Sequence, residues 1–178
     1  MTKISKNIKI MSDVPVVKIK LNGGIMPTKG SQFAAAYDLY VPEDTELKFG
    51  RQVIDLKFSM EIPHGYAAII QARSGFTCRG MSVQTMVRKA WFVCLGIFSK
   101  EKRINADVVV GLVDEDYRNN VGALVKSRYF PVFRKAILTK GTRIAQMRIV
   151  QVPDTELVEV DKLDMSSDRG GGYGHTGK

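Results

Sequence analysis

Val53-Ile-Asp-Leu-Lys-Phe58 alternates large apolar and polar residues with a period of two. That period lays every second side chain on a common face, the pattern of a half-buried strand rather than a helix. Upstream, Val16-Val-Lys-Ile-Lys-Leu21 repeats it. Downstream lie further β-rich runs: Tyr66-Ala-Ala-Ile-Ile70, Ala106-Asp-Val-Val-Val110, Gly122-Ala-Leu-Val125, Ile144-Ala-Gln-Met-Arg-Ile-Val150 and Leu157-Val-Glu-Val160. Turn residues punctuate them at Asn22-Gly-Gly24, Pro63-His-Gly65, Lys140-Gly141 and Pro153-Asp154. Many short strands with regular turns predict an all-β sandwich or barrel.

One segment departs from this pattern. Within Ser82 to Phe98, Met86, Ala90, Val93 and Ile97 recur at helical spacing, as do Trp91, Leu95 and Phe98. The segment reads as a short buried helix or as two strands, and periodicity does not separate them. Its apolar stretch, Trp91 to Phe98, falls far short of the ~20 residues that span a bilayer. The 178 residues suit one domain with a tail. With 44% apolar and 25% charged residues, a self-standing core is expected. The polar, Lys-bearing residues 1–14 read as a flexible extension and not a targeting peptide. The expectation is a soluble intracellular chain, cytoplasmic, with the nucleus open to it in a eukaryotic or viral setting.

Lys and Arg number 27 against 18 Asp and Glu, a net charge of +9. This balance suits an anionic partner, either a polyphosphate, a nucleic acid or an acidic surface. The cations are scattered, with no long basic block. Two cysteines, Cys78 and Cys94, form no framework and read as reduced, partly buried thiols. Two histidines, His64 and His175, are too few for a histidine-based zinc site, and Ser-His-Asp chemistry recedes with it.

Five islands carry chemistry. Ala34-Ala-Ala-Tyr-Asp-Leu-Tyr40 sets Asp38 in an apolar stretch, which alone is an ordinary turn aspartate. Ala72-Arg-Ser-Gly75 ends a strand with a guanidinium, a hydroxyl and glycine backbone, groups that can hold phosphate oxygens or simply close the strand. Val113-Asp-Glu-Asp-Tyr-Arg118 gathers three carboxylates beside a Tyr. In an extended strand Asp114 and Asp116 would share a face, able to hold a cation or supply a general base; a solvated acidic turn is the alternative. Arg143-Ile-Ala-Gln146 opens a strand after a glycine turn. Finally, Arg169-Gly-Gly-Gly-Tyr-Gly-His-Thr-Gly177 reads as a frayed tail, yet its Arg, Tyr and Thr among glycines are what a backbone wrapping an anion needs.

Taken in order, these islands resemble the five motifs of the trimeric dUTPase family, from about Val16 to Gly177. The resemblance implies a jelly-roll-like distorted β-barrel with a flexible C-terminal arm, and a homotrimer with shared active sites. It implies hydrolysis of dUTP to dUMP and pyrophosphate with Mg2+ on the triphosphate, keeping uracil out of DNA and supplying dUMP for dTTP synthesis. Asp114 resembles the general base that activates water at the α-phosphorus, and Tyr117 the residue that excludes a ribose 2′-hydroxyl. The hairpin around Gly111 would hold uracil. Arg73, Ser74, Gly75 and Gln146 resemble phosphate contacts. Arg143 and Asp116 would support them, and Asp38 would stand near the metal's water shell. In the arm, residues 164–178, Arg169 would meet the γ-phosphate and Tyr173 would stack on uracil. Gly174, His175 and Thr176 would wrap the γ-phosphate. Neither a membrane nor an obligate nucleic-acid partner is implied.

The chain also departs from that family. Residues 76–110, between the second and third motifs, are longer than usual. Within the 15–163 domain, the insertion at about 81–106 reads either as extra packing or as a contact with another protein or across the trimer. Thr142 stands where Asp is usual, with loss of a cap or salt bridge expected. Tyr173 replaces the common Phe, and the spacing from Arg169 is one residue short. Two alternatives remain at this stage: a dUTPase-like trimer that binds or regulates without turnover, and a relative of the dCTP deaminases. Arg-Ser-Gly with Asp114 speaks against the second.

Overall fold

The computed structural model describes residues 14–87, 100–130 and 134–166. The described chain is almost entirely strand. In order come β1 (Lys18–Leu21), β2 (Thr28–Lys29), β3 (Tyr37–Tyr40), β4 (Thr45–Leu47), β5 (Gly50–Asp55), β6 (Phe58–Glu61) and β7 (Tyr66–Gln71). One short helix, α1 (Ser74–Arg79), precedes β8 (Met81–Val87), β9 (Lys100–Ile104), β10 (Ala106–Val108) and β11 (Gly111–Val113). The last strands are β12 (Gly122–Ser127), β13 (Arg134–Leu138) and β14 (Arg143–Gln151).

These strands form antiparallel sheets in the orders β11-β7-β14-β3-β2, β4-β13-β8-β9 and β10-β12-β5, plus the pair β1-β6. The expected all-β class holds, with several packed sheets and no single closed ladder among the described residues. Consecutive strands repeatedly change sheet, so the core is knitted from distant parts of the chain. Leu39, Val41, Leu47, Leu56, Phe58, Met81, Val121, Val125, Leu138 and Ile144 lie at its centre, almost wholly shielded from water. Removing such side chains from water is the main stabilising contribution of a fold this size. Among the described residues no helix is long and apolar enough to cross a membrane.

The predicted strand Val53–Phe58 is two strands. β5 stops at Asp55 and β6 starts at Phe58, with Lys57 at φ 52° between them. The Asp55 carboxylate accepts the Lys57 N–H at 2.7 Å, and the Lys57 carbonyl accepts the N–H groups of Asn22 and Gly24 at 2.8 Å each. This kink moves the chain from the β12 ladder to the β1 ladder. Ile54, Leu56 and Phe58 remain buried on both sides of it, so the alternation was a true burial signal spread over two sheets. Likewise, the run Ala106–Val110 leaves the β12 ladder for β7 at Gly111, so Gly111 sits at a sheet crossover, within the excursion that joins the antiparallel strands β10 and β12. Leu157, Val158 and Val160 form no strand and stand exposed.

The helix reading of the 82–98 segment fails where it can be checked. Residues 81–87 are β8, paired on one side with β13 and on the other with β9. The start of the insertion is therefore built into a sheet, and its remainder at 88–99 lies outside the described residues, with Cys94. The one helix among the described residues, α1, had no periodic signal because it is a single turn and a half burying only Phe76. Cys78 on it is exposed, against expectation.

Gly80 ends α1 at φ +76°, a conformation that L side chains rarely adopt, and a Cβ there would lie 2.6 Å from the Ile104 carbonyl oxygen. Gly80→Ala should therefore destabilise the fold by about 1–3 kcal/mol. Urea denaturation measures this, and an unchanged midpoint would show that the β8–β9 approach is not tight.

Candidate active site

β14 lies between β3 and β7, and one row crosses all three strands: Asp38 opposite Gln146, and Gln146 opposite Gln71. Residues opposed in an antiparallel ladder share a face. A cleft of about 320 Å³ opens on that face, lined by Asp38, Arg73, Ser74, Gly75, Arg143 and Gln146 among others. The first, second and fourth sequence islands thus converge on one cleft.

Asp38 is the hub of this cleft. Its Oδ1 accepts from Arg73 Nε at 2.7 Å and its Oδ2 from an Arg143 terminal nitrogen at 3.2 Å. The Asp38 side chain is 11% exposed, against 28% for Arg73 and 50% for Arg143, so the carboxylate is sunk and the guanidiniums face outward. Two ion pairs satisfy the buried charge and fix both arginines.

Arg143 and Gln146 are three apart, and in a regular strand would point to opposite faces. The register slips between Arg143 and Ala145, which bulges β14 and leaves Ile144 and Ala145 buried in succession. A bulge reverses side-chain parity, which brings Arg143 round to Asp38. Thr142, the residue in place of the family's usual Asp, keeps a cap of its own: its Oγ1 lies 3.0 Å from Thr139 Oγ1 and its N–H reaches the Thr139 carbonyl.

Sequence reasoning missed Gln71 and Arg148, both of which line the cleft. Gln71 is found from the register opposite Gln146, and Arg148 from period two along β14. Arg73, Arg143 and Arg148 against Asp38 leave a surplus of two positive charges in the lining. Such a surplus attracts a polyanion.

The third island stands apart, since neither Asp114 nor Tyr117 lines this cleft. β11 ends at Val113, and residues 114–117 form a turn in which the Tyr117 N–H donates to the Asp114 carbonyl at 3.2 Å. Asp114 and Asp116 therefore do not share a strand face, which corrects the extended reading. Both are exposed, and the carboxylate of neither is engaged by another described residue. Tyr117 is 40% exposed, with its hydroxyl donating to the Asn120 carbonyl at 3.0 Å. Glu115 is turned the other way. Its Oε1 lies 3.0 Å from His64 Nδ1 and its Oε2 accepts the Gly65 N–H at 2.8 Å. The hydrogen bond with Glu115 and its negative charge raise the His64 pKa; the same bond, with that from Gly65, lowers the pKa of Glu115.

Among the described residues no group of three or more His, Cys, Asp and Glu side chains converges as a metal cage. Arg169, Tyr173, Gly174, His175 and Thr176 lie outside the described residues.

The dUTPase family model matches residues 22–98. A deoxyuridine 5′-triphosphate nucleotidohydrolase of Variola virus is 34% identical over 96% of this chain and 97% of its own length. The enzyme of the same name from Arabidopsis thaliana is 31% identical over 93% and 86%. The solved dUTPase of Staphylococcus bacteriophage 80alpha with dUPNHPP superposes with a TM-score of 0.68 at 22% identity, covering 92% of this chain and 99% of that one. A dUTPase of phage phi11 of S. aureus, described as coordinating a structural Mg(II) ion, gives 0.64 at 19% identity, covering 83% and 97%. The identity to relatives along nearly the whole chain, with the shared fold and the converged motifs, places this chain in the dUTPase family.

Proposed function

We propose that this protein hydrolyses dUTP to dUMP and pyrophosphate, in active sites shared between the subunits of a homotrimer. The observation that carries the reading is the Asp38 cleft, where anchored guanidiniums stand beside Ser74, Gly75 and Gln146 in a family whose relatives are named for this reaction. Arg73 donates charge-assisted hydrogen bonds to the phosphates, with the Ser74 hydroxyl, the Gly75 N–H and the Gln146 amide beside it. Arg143, tied to Asp38, keeps that array aligned.

Asp114 takes a proton from water and aims its oxygen at the α-phosphorus. The new phosphorus–oxygen bond forms as the bond to the α–β bridging oxygen breaks, and pyrophosphate leaves with that oxygen. Such a displacement needs alignment and charge neutralisation rather than a covalent nucleophile. The Tyr117 ring packs against deoxyribose where a 2′-hydroxyl would clash, and the backbone at Gly111 holds uracil. Asp116 supports the turn. From the arm, Arg169 meets the γ-phosphate, Tyr173 stacks on the base, and Gly174, His175 and Thr176 close round the phosphates, excluding water.

The cleft residues fit a Mg2+ that arrives on the triphosphate. Arginines engage both oxygens of Asp38, so this carboxylate would meet the ion through its water shell. When bound, Mg2+ supplies charge neutralisation on the phosphate oxygens.

Sharing between subunits is supported by the separation of the acidic turn from the cleft within one chain. It is also supported by an apolar groove of about 340 Å³ beside Val17, Ile19, Met26 and Met147, and by Leu157 and Leu163, which stand 97% and 76% exposed. Apolar surface left open in this way calls for a covering chain.

Pyrophosphate release from dUTP, dTTP, dCTP and UTP, with Mg2+ and with EDTA, tests the proposal. Rapid Mg2+-dependent release from dUTP alone is expected; release of ammonia from dCTP, or no turnover of any nucleotide, would overturn it. Asp114→Asn should bind dUTP but turn over about 10²–10⁴-fold more slowly, the range of a lost general base. Single-turnover kinetics would expose a near-normal rate and with it a wrong base. Removal of residues 165–178 should cut turnover by more than tenfold and leave Tm within about 2 °C, as expected of an arm that orders on the substrate. A larger fall in Tm by calorimetry would make the arm structural.

A further inference from the structure

The acidic turn carries three carboxylates in succession, and the chemistry above uses the flanking two. Glu115 is the one the structure ties down. Its two oxygens reach across to the turn between β6 and β7, one to the His64 ring and one to the Gly65 N–H. That turn is itself anchored: the Tyr66 N–H donates to the Pro63 carbonyl at 3.2 Å, and the Gly65 carbonyl accepts the Val152 N–H at 2.8 Å beyond the end of β14. On the acidic side, the Arg118 guanidinium donates to the Glu115 carbonyl and, at 3.1 Å, to that of Tyr117. Asp114 thus rides on a turn that the Glu115 carboxylate ties to the β6–β7 turn, while Tyr117 leans on Asn120, whose side chain is held by Asn22 and Asp55.

We propose that Glu115 is a positioning residue for the reaction: by clamping the acidic turn to His64 and the Gly65 N–H, it sets where the Asp114 carboxylate stands relative to the attacking water. The inference rests on the proposed dUTP hydrolysis. The geometry separates its two bonds. The Gly65 N–H bond is part-buried and does not titrate, whereas the His64 side chain is 82% exposed. The groups acting on the pair are Asp154, which favours charged His64, and Arg118, which favours charged Glu115. The charged pair exists above the lowered Glu115 pKa and below the raised His64 pKa. As pH rises through the latter, the ion pair weakens and the Gly65 bond remains. Histidine supplies a graded pH response, and glycine backbone the constant part.

Three variants are compared with wild type: Glu115→Ala, Glu115→Gln and His64→Ala. Small displacements of a catalytic group cost large factors in rate. Glu115→Ala should lower kcat by about tenfold or more while KM for dUTP moves by less than about threefold. Glu115→Gln keeps an oxygen for the Gly65 N–H and should recover most of that loss near neutral pH. His64→Ala should cost about two- to threefold below the raised His64 pKa and little above it, as befits an exposed pair. In parallel, amide hydrogen exchange should quicken in residues 114–118 and 63–66 together in Glu115→Ala, a readout independent of turnover. Unchanged kcat in Glu115→Ala overturns the inference, and so does a loss shared equally by Glu115→Gln. A rate loss explained wholly by a smaller folded fraction, with exchange faster everywhere, also overturns it. A wild type inactive on dUTP would fail the proposed function instead, and the exchange result would still decide whether the clamp exists.

Discussion

Strand β14 hydrogen-bonds along both edges, to β3 and to β7, and the row Asp38–Gln146–Gln71 exists because of that double pairing. The three strands come from the beginning, middle and end of the chain, so the cleft forms only when the long-range ladder is complete. Side-chain period makes this a strict constraint, since a slip of one residue would turn every cleft residue into the core and every core residue outward. Buried Ile144, Ala145 and Met147 on β14, Leu39 on β3 and Ile70 on β7 hold the register by resisting exposure. The buried carboxylate of Asp38 adds a second lock, for in any other register it would lose its arginines and stand desolvated and unpaired.

Around this ladder the functional groups fall into two sorts. Those on strands or at strand ends, such as Asp38, Gln146 and Arg73, are placed by backbone pairing and fixed by ion pairs. Those on turns, such as Asp114 and Tyr117, depend on local hydrogen bonds and on the tether from Glu115. Rigid elements give the cleft its shape, and in the proposed reaction the turn would supply the reactive carboxylate, which stands exposed.

Much of this was readable in the residues. The period-two runs announced the β class, and five ordered islands announced the family, because backbone pairing and phosphate chemistry both demand particular residues at short range. The rest depended on contacts that no local pattern records. The run Val53–Phe58 preserved its burial parity through a kink at Lys57, so periodicity gave the inward face but not the change of sheet. At Met86, the one described member of the helically spaced set, β8 is held by β13 and β9, and those partners outweigh a weak local preference. Leu157–Val160 has strand-forming residues but pairs with no strand among the described residues. Glu115 was indistinguishable from its acidic neighbours until the turn between β6 and β7 came beside it.

The bulge in β14 has a bearing on how such a sheet could be improved or inherited. Straightening the strand with its residue count unchanged, so that Arg143 to Gln146 alternate strictly, would give a more regular ladder. It would also swing Arg143 away and leave Asp38 with one arginine. Sheet regularity and the Asp38–Arg143 ion pair are thus in direct competition at one peptide unit, and selection for regularity alone would tend to erase that pair first.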